Sequence, residues 1–260
     1  MTDFATEGLF DPPGFQRGVA PGRAAVGLLL IHGFSGGPAD MRYLAENLAA
    51  RRWSAPMRIA VPALEGHRLN GDPDRRLHHG VGWAPIWKRQ AAVAFEELES
   101  RSEAVVIAGL SMGALVTLLT AAAFADRSRL KGVILFSTPL QVNTQRLRPI
   151  IGVMSRVRPE RPWKIKQEVD VADATEDRRM PLRKRMTLGA IESFFRLQPE
   201  AAQALGEIRV PVLAIHSRQD HTAPFDNLAR LQRGLGAAES VETMVLQRSF
   251  WASSRAYARM

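Results

Sequence analysis

The residues best suited to chemistry lie in the run GLSMG at 109–113, where one serine stands between two glycines. A serine hydroxyl is a weak nucleophile, so it needs a base within hydrogen-bonding distance and an acid that orients that base. The apolar run Ala104–Ala108 precedes the motif and predicts a buried strand, and Ala114–Ala123 follows it and predicts a buried helix. Such a strand–turn–helix setting is typical of a nucleophile elbow, so we predict that Ser111 is the nucleophile.

A second candidate is the glycine-rich segment HGFSGGP at 32–38, which follows another apolar run. A loop of this composition can turn backbone N–H groups toward a carbonyl oxygen held over Ser111. The residue after the nucleophile, at the start of a helix, supplies a second N–H. We therefore predict that Phe34 and Met112 are the backbone donors of an oxyanion hole.

A third candidate is Asp220, which follows the apolar run Val210–His216 by a short loop. A carboxylate after a late strand fits the chain order of nucleophile, acid and histidine. Asp226 is the competing carboxylate, but the pattern places it in the following helix. The alternative to a catalytic role is that Asp220 is a loop or helix-capping carboxylate.

These residues require a sheet and helices that hold them at one edge. Six apolar, β-rich runs are separated by helical segments, and runs that are apolar throughout are typical of a parallel sheet covered on both faces. We predict an α/β fold with a doubly wound, mostly parallel sheet. The predicted strands are 25–31, 57–61, 104–110, 132–137, 210–216 and 241–247, and the predicted helices are 38–52, 84–100, 112–125 and 224–235.

The interval from Pro139 to Arg209 interrupts this alternation. It has no strand-like run, and its composition is basic, amphipathic and punctuated by prolines. A structureless loop of this length is rare in a compact domain. We therefore predict a helical cap (lid) insertion at 140–209 within a single domain that spans 1–260.

Composition restricts the remaining possibilities. The 260 residues include no cysteine and six histidines, and the formal net charge is +9. With no cysteine and with acidic residues and prolines near the N-terminus, the sequence predicts a cytoplasmic protein without disulfides or a membrane span. The positive charge lacks an aromatic-basic RNA-binding signature or a recognition helix, so nucleic acid is not the favoured partner.

Together these segments resemble the α/β-hydrolase superfamily, and more narrowly the bacterial carboxylesterases and monoacylglycerol lipases. The resemblance rests on HGFSGGP, LEGH at 64–67, GLSMG, the aspartate in HSRQDHTAP and LQRSF at 246–250. It implies an α/β-hydrolase domain that hydrolyses carboxylic esters through an acyl-enzyme on Ser111. The substrate would be a small-molecule ester with a short to medium acyl chain, or a monoacylglycerol. It implies no metal or organic cofactor. Residues 139–209 would then shape the acyl pocket.

The base is the exception to this resemblance. In such esterases it is a histidine after the last strand in a Ser-x-His setting, and here the matching run is Ser-Phe-Trp at 249–251. Trp251 therefore occupies the expected base position, although an indole N–H only donates. Two substitutes remain open: His221 beside the acid, and His32, whose alternative is a structural role in its turn.

Two other function classes follow from these features. A non-catalytic α/β-hydrolase-fold protein would bind an acyl or hydrophobic ligand under the cap, since a pocket does not need the base. A nucleic-acid or anionic-surface binder would use the positive charge and would lose its ligand with added salt.

Overall fold

The six apolar runs of the sequence form six strands of a seven-stranded sheet, and the seventh is a short strand at 15–17 that was not predicted. This computed structural model describes residues 15–17, 23–51, 53–67, 82–164 and 185–247. The strands are β1 (Phe15–Arg17), β2 (Ala24–Ile31), β3 (Met57–Val61), β4 (Ser102–Leu110), β5 (Leu130–Phe136), β6 (Pro162–Lys164), β7 (Arg185–Thr187), β8 (Val212–Ser217) and β9 (Val241–Leu246). The helices are α1 (Ala39–Ala50), α2 (Trp83–Ser100), α3 (Met112–Ala123), α4 (Arg148–Val157), α5 (Leu188–Ala204) and α6 (Asp226–Gly234).

The main sheet has the strand order β1-β3-β2-β4-β5-β8-β9. All neighbouring pairs are parallel except β1 and β3. The chain passes from β2 through α1 to β3 on one side of β2, and β4 then lies on its other side. This reversal of direction confirms the predicted doubly wound, mostly parallel sheet, and it brings the carboxyl ends of β2 and β4 together.

Both faces of the central strands are buried, as their uniformly apolar sequences predict, whereas the edge strand β9 has three exposed residues. Within β2, Leu29 and Ile31 belong to a large core that includes side chains of α2, α3 and α5. The alternate residues Leu28 and Leu30 join a smaller core on the other face with side chains of α1. Successive side chains of a strand point to opposite faces, so one strand supplies both cores.

The segment predicted as a helical cap is mixed in structure. Its described part holds α4, α5, and the short strands β6 and β7, which pair antiparallel to each other. The expectation that this interval lacks strands is therefore wrong. These strands were missed because each has only three residues, which is too short to show a periodic pattern. Residues 165–184 of this segment lie outside the described residues.

In the ranges that the structure describes, no helix has both the length and the hydropathy that a bilayer crossing requires.

Candidate active site

Ser111 stands at the sharp turn between β4 and α3. Its φ of 53° and ψ of −118° fall in a region that non-glycine residues rarely adopt. The Ser111 N–H donates to the carbonyl of Phe136 at 2.8 Å, and the Ser111 carbonyl accepts from the N–H of Ala114 at 2.9 Å. These bonds tie the strained residue to β5 on one side and to the first turn of α3 on the other. Backbone strain held in this way is a recurrent feature of functional sites.

The flanking glycines allow the backbone segments at this turn to approach each other. A Cβ added at Gly109 would overlap the carbonyl of Gly113 and the hydroxyl of Thr117. A Cβ added at Gly113 would overlap the carbonyl of Ile31 and lie 2.6 Å from that of His32. The elbow therefore packs directly on the end of β2, where the glycine-rich loop begins.

Gly113→Ala is expected to lower the free energy of unfolding by about 3 kcal/mol or more, because backbone carbonyls cannot move away as a flexible side chain can. Urea denaturation measures the change. The matched control is Gly152→Ala in α4, where an added Cβ meets nothing within 4 Å. The control should leave stability equal or raise it by about 0.5–1 kcal/mol. Equal destabilisation by the two variants would contradict the described elbow packing.

The glycine-rich loop lies beside the nucleophile. An added Cβ at Gly33 would lie 3.8 Å from Cβ of Ser111 and 3.7 Å from the carbonyl of Leu110. The ring of Phe34 stacks on Phe194 of α5, with ring centroids 5.1 Å apart. Among the described residues, no acceptor takes the N–H of Phe34. Met112 begins α3, where the first N–H groups have no acceptor within the helix.

His32 fixes the start of this loop and is fully buried. Its Nδ1 lies 2.9 Å from the carbonyl of Gly33, and its Nε2 lies 3.1 Å from the N–H of Leu64. Because a backbone N–H can only donate, Nε2 must be the unprotonated acceptor and Nδ1–H the donor. Both ring nitrogens are therefore engaged with the backbone. The contacts favour the structural alternative for His32 over a role as the base for Ser111.

Burial lowers the pKa of His32 from 6.5 to about 4, and the hydrogen bond with Gly33 opposes this only partly. Between these two values the unfolded chain binds a proton at this site and the folded chain does not, so stability falls as pH drops from about 6.5 to about 4. The expected loss in unfolding free energy is about 3 kcal/mol at most. Urea denaturation across this pH range should show a shallower slope for His32→Gln. An unchanged slope would contradict the assignment of a neutral His32.

Asp220 follows β8 and holds one carboxylate oxygen in place. Its Oδ1 accepts from the N–H groups of Thr222 and Ala223 at 2.9 and 2.8 Å. Its Oδ2 lies 4.0 Å from Nε2 of His216 and accepts no hydrogen bond from any described residue. Asp220 therefore caps a turn, as the alternative interpretation predicts, and also keeps an oxygen available for another donor. The competitor Asp226 is the first residue of α6.

A hydrogen-bonded clasp holds the loop of Asp220 to the segment after β5. The side chain of Asn227, which is buried, accepts from the N–H of Gln141 at 2.9 Å and donates to its carbonyl at 2.8 Å. The Asn143 side chain donates to the carbonyl of His221 at 2.7 Å. The loop of Asp220 is thus anchored on its C-terminal side, at His221 and Asn227, and the sequence analysis did not anticipate this. In the sequence, the asparagine side chains are the only sign of these hydrogen bonds.

The predicted nucleophile and the predicted acid lie at the same edge of the sheet, two strands apart. Ser111 follows β4, its N–H reaches the end of β5, and the N–H of Ser137 in turn donates to Ile215 of β8 at 2.9 Å. Neighbouring strands are about 4.8 Å apart, so the ends of β4 and β8 lie about 10 Å apart. A base that linked Ser111 to Asp220 in the predicted roles would have to occupy this gap.

The chain leaves β9 next to the acid loop. Leu246 pairs with Ser217, and its carbonyl accepts from the N–H of Arg218 at 3.0 Å, two residues before Asp220. The end of β9 therefore lies beside the loop of Asp220. Trp251, the residue at the expected base position, lies outside the described residues.

The described histidines have other surroundings. His216 is buried, and its Nε2 donates to the carbonyl of Ala223 at 2.9 Å. His221 is exposed. His67 is buried beside the turn at residues 65–66, with its ring 4.9 Å from that of His32 and 5.2 Å from that of Trp87. Long-range ring packing, which local sequence does not reveal, covers this turn.

Buried polar residues after β5 were also missed. Ser137 has a φ of 48°, and both its hydroxyl and that of Thr138 are buried without a hydrogen-bond partner among the described residues. Gln198 of α5 donates to the carbonyl of Pro139 at 2.9 Å.

The described residues contain no group of three or more histidine, aspartate or glutamate side chains that could hold a metal ion.

The family of this chain follows from its residues 89–248, which match the model of the family described as serine aminopeptidase, S33. The chain belongs to this family of α/β-hydrolases. The matched residues of this S33 chain run from α2 to just after β9 and include the elbow of Ser111 and the loop of Asp220. The resemblance identified from the sequence motifs is thereby confirmed.

Relatives of this S33 chain include lipases and esterases. It is 25% identical over 233 residues to a thermostable monoacylglycerol lipase of Bacillus sp. (strain H-257), covering 89% of this chain and 85% of that protein. It is 24% identical over 196 residues to a carboxylesterase of Bacillus subtilis (strain 168), covering 75% and 72%. A structure from work on the metagenome-derived lipolytic enzymes LipS and LipT superposes with a TM-score of 0.71 at 23% identity, covering 89% and 86%.

Proposed function

We propose that this protein hydrolyses carboxylic esters of short- to medium-chain acids, or monoacylglycerols, through an acyl-enzyme on Ser111. The observation that carries the proposal is the strained Ser111 at the β4–α3 turn, with the glycine-rich loop beside it. The lipase and esterase relatives support an ester as the substrate. The proposed cap, residues 140–209, supplies Phe194, which stacks on Phe34 and so borders the oxyanion loop.

In the proposed reaction, Oγ of Ser111 attacks the ester carbonyl and its proton passes to a base. The N–H groups of Phe34 and Met112 stabilise the negative charge on the carbonyl oxygen. The tetrahedral intermediate then collapses, the alcohol leaves with that proton, and the acyl group remains on Oγ. Water repeats the sequence to release the acid, and Asp220 orients the base throughout.

The proposed weakness of this site is the base. Among the histidines that the structure describes, His32 has both ring nitrogens bound to the backbone, and Nε2 of His216 donates to a carbonyl. With Trp251 at the expected base position, turnover should be slow. An oxyanion hole and substrate binding alone can still leave about 10³ to 10⁴-fold acceleration over water.

A p-nitrophenyl ester series of increasing acyl length, assayed beside matched p-nitroanilides, tests the proposed substrate class. The family description names an aminopeptidase, so the anilides test amide cleavage directly. We expect faster release from the esters, with an optimum at short or medium chain length. Faster cleavage of the anilides would contradict the proposed ester substrate.

The second candidate function is binding without hydrolysis, and the tryptophan at position 251 favours it. A fatty acid or a non-hydrolysable acyl ether would then bind to a chain that turns over no ester. Isothermal titration calorimetry with such an ether, beside the ester assay, separates the two functions.

The cytoplasmic location stays a prediction, which cell fractionation tests.

A further inference from the structure

Asp40 places its carboxylate against the glycine-rich loop that follows β2. A Cβ added at Gly36 would overlap that carboxylate, and the three atoms nearest to it all belong to the Asp40 side chain. The φ of Gly36 is not positive, so an alanine backbone could adopt the conformation of this residue. The missing Cβ at position 36 therefore makes room for one side chain, that of Asp40.

The same carboxylate also approaches the part of the loop that faces the nucleophile. Oδ2 of Asp40 lies 3.6 Å from the position of a Cβ on Gly33, and Cβ of Ser111 lies 3.8 Å from that same position. Gly33 and Gly36 stand on either side of Phe34 in the chain, and the N–H of Phe34 is the proposed oxyanion donor. The Asp40 side chain thus lies against the loop both before and after this donor.

Asp40 belongs to the first turn of α1, which is anchored to the sheet. Its N–H donates to the carbonyl of Gly37 at 2.9 Å, and the N–H of Met41 donates to the carbonyl of Pro38 at 3.1 Å. Met41 and Ala45 of α1 are buried in the smaller core. The carboxylate is therefore carried by a helix whose own position is fixed by core packing.

The loop needs such a support because of its composition. Three of the five residues at 33–37 are glycine, and glycine loses more conformational freedom on ordering than any other residue. An oxyanion hole stabilises charge because its donors are fixed before the charge develops. His32 holds the start of the loop through both ring nitrogens. The carboxylate of Asp40 meets the loop farther along, at Gly36.

We propose that Asp40 is a positioning residue for the oxyanion hole. Its carboxylate packs beside Gly36 and holds residues 33–37 in the conformation that aims the N–H of Phe34 at the substrate carbonyl oxygen. Asp40 contacts no reacting atom in this role and acts through the shape of the loop. The inference rests on the proposed ester hydrolysis and deepens it, because it names the side chain that orders the oxyanion loop.

Asp40→Ala should lower kcat for a short-chain p-nitrophenyl ester about 10²-fold, because a donor displaced by about 1 Å costs a factor of this size. KM should change by less than about threefold, since the donor acts mainly on the transition state. Asp40→Asn keeps the shape of the side chain and should leave kcat within about threefold of the parent. Each variant is assayed in the parent chain and in Trp251→His.

Gly36→Ala tests the same contact from the other side, because its methyl group takes the space that the carboxylate occupies. It should lower kcat about as much as Asp40→Ala, and the double variant should be no slower than either single variant. Asp226→Ala is one control, since it removes an exposed carboxylate from the first turn of α6. Gly206→Ala is the other, because its added Cβ meets nothing within 4 Å. Both controls should leave kcat and thermal unfolding unchanged.

Hydrogen exchange measured by mass spectrometry separates a failure of this proposal from a failure of the proposed function. The amides of residues 33–37 should exchange faster in Asp40→Ala and Gly36→Ala than in the parent and Asp40→Asn. If no chain hydrolyses ester, faster exchange still supports Asp40 as the residue that holds the loop, and the proposed function alone fails. Three results would overturn the proposal: unchanged exchange at 33–37 in Asp40→Ala, an unchanged kcat in a chain that hydrolyses ester, or losses in kcat that multiply in the double variant.

Discussion

Trp251→His is expected to raise kcat for a short-chain p-nitrophenyl ester by about 10²- to 10⁴-fold. The substitution supplies an imidazole that takes the Ser111 proton and later donates it to the leaving group, and general base catalysis contributes a factor of this size. The new ring is expected to bond to Oδ2 of Asp220, which accepts no hydrogen bond among the described residues. Stopped-flow or steady-state release of p-nitrophenol measures the change.

Trp251→Phe is the control for this gain, because it removes the indole and adds no base. It should leave kcat within about threefold of the parent, since a donor-only N–H takes no proton. The interpretation of position 251 would be contradicted by a parent of high activity that His221→Ala abolishes and Trp251→His does not improve. Such a result would identify His221 as the base.

Ser111→Ala is expected to remove the activity gained in Trp251→His, a loss of about 10³-fold or more in kcat. Nucleophile and base act as a unit, so the loss should be large only where the base is present. The same change in the parent chain should remove its acyl-enzyme but lower its slow turnover less, because an oxyanion hole can still assist attack by water. The four chains form a double-mutant cycle with a large coupling energy.

Exposed Ser128 provides the matched control, since Ser128→Ala deletes the same hydroxyl away from the elbow. Thermal unfolding of Ser111→Ala should match that of the parent or exceed it slightly. Turnover in Trp251→His that persists at full rate after Ser111→Ala would exclude Ser111 as the nucleophile.

Most of the sheet could be predicted because its strands are apolar throughout. The predicted strand 57–61 and the observed β3 coincide, and β2 and β4 were placed within two residues of their observed ends. Burial on both faces removes the polar positions that make strand patterns ambiguous. The turn at Ser111 was also predictable, because two glycines between a strand and a helix indicate close backbone packing, which the structure shows.

Features that depend on long-range packing could not be predicted. The positive φ of Ser137 has no local signal, since serine adopts this conformation only when the surroundings impose it. Pairing of Trp163 with Met186 joins residues far apart in the chain, through strands too short to show a period. The hydrogen bonds between Asn227 and Gln141 could not be predicted either, because an asparagine in the first turn of a helix is as common at the surface as in a buried contact. Local patterns therefore predicted where Ser111 and Asp220 lie, and not what holds their loops.

The most direct test of the central claim is to map the acyl-enzyme. Intact-protein and peptide mass spectrometry after rapid quenching with a p-nitrophenyl ester would locate any acyl group, in the parent and in Trp251→His. The account predicts one acyl group per chain on the peptide that contains Ser111, with faster acylation in Trp251→His and none after Ser111→Ala. Acylation of another residue, or no adduct on Ser111 in either chain, would contradict the account.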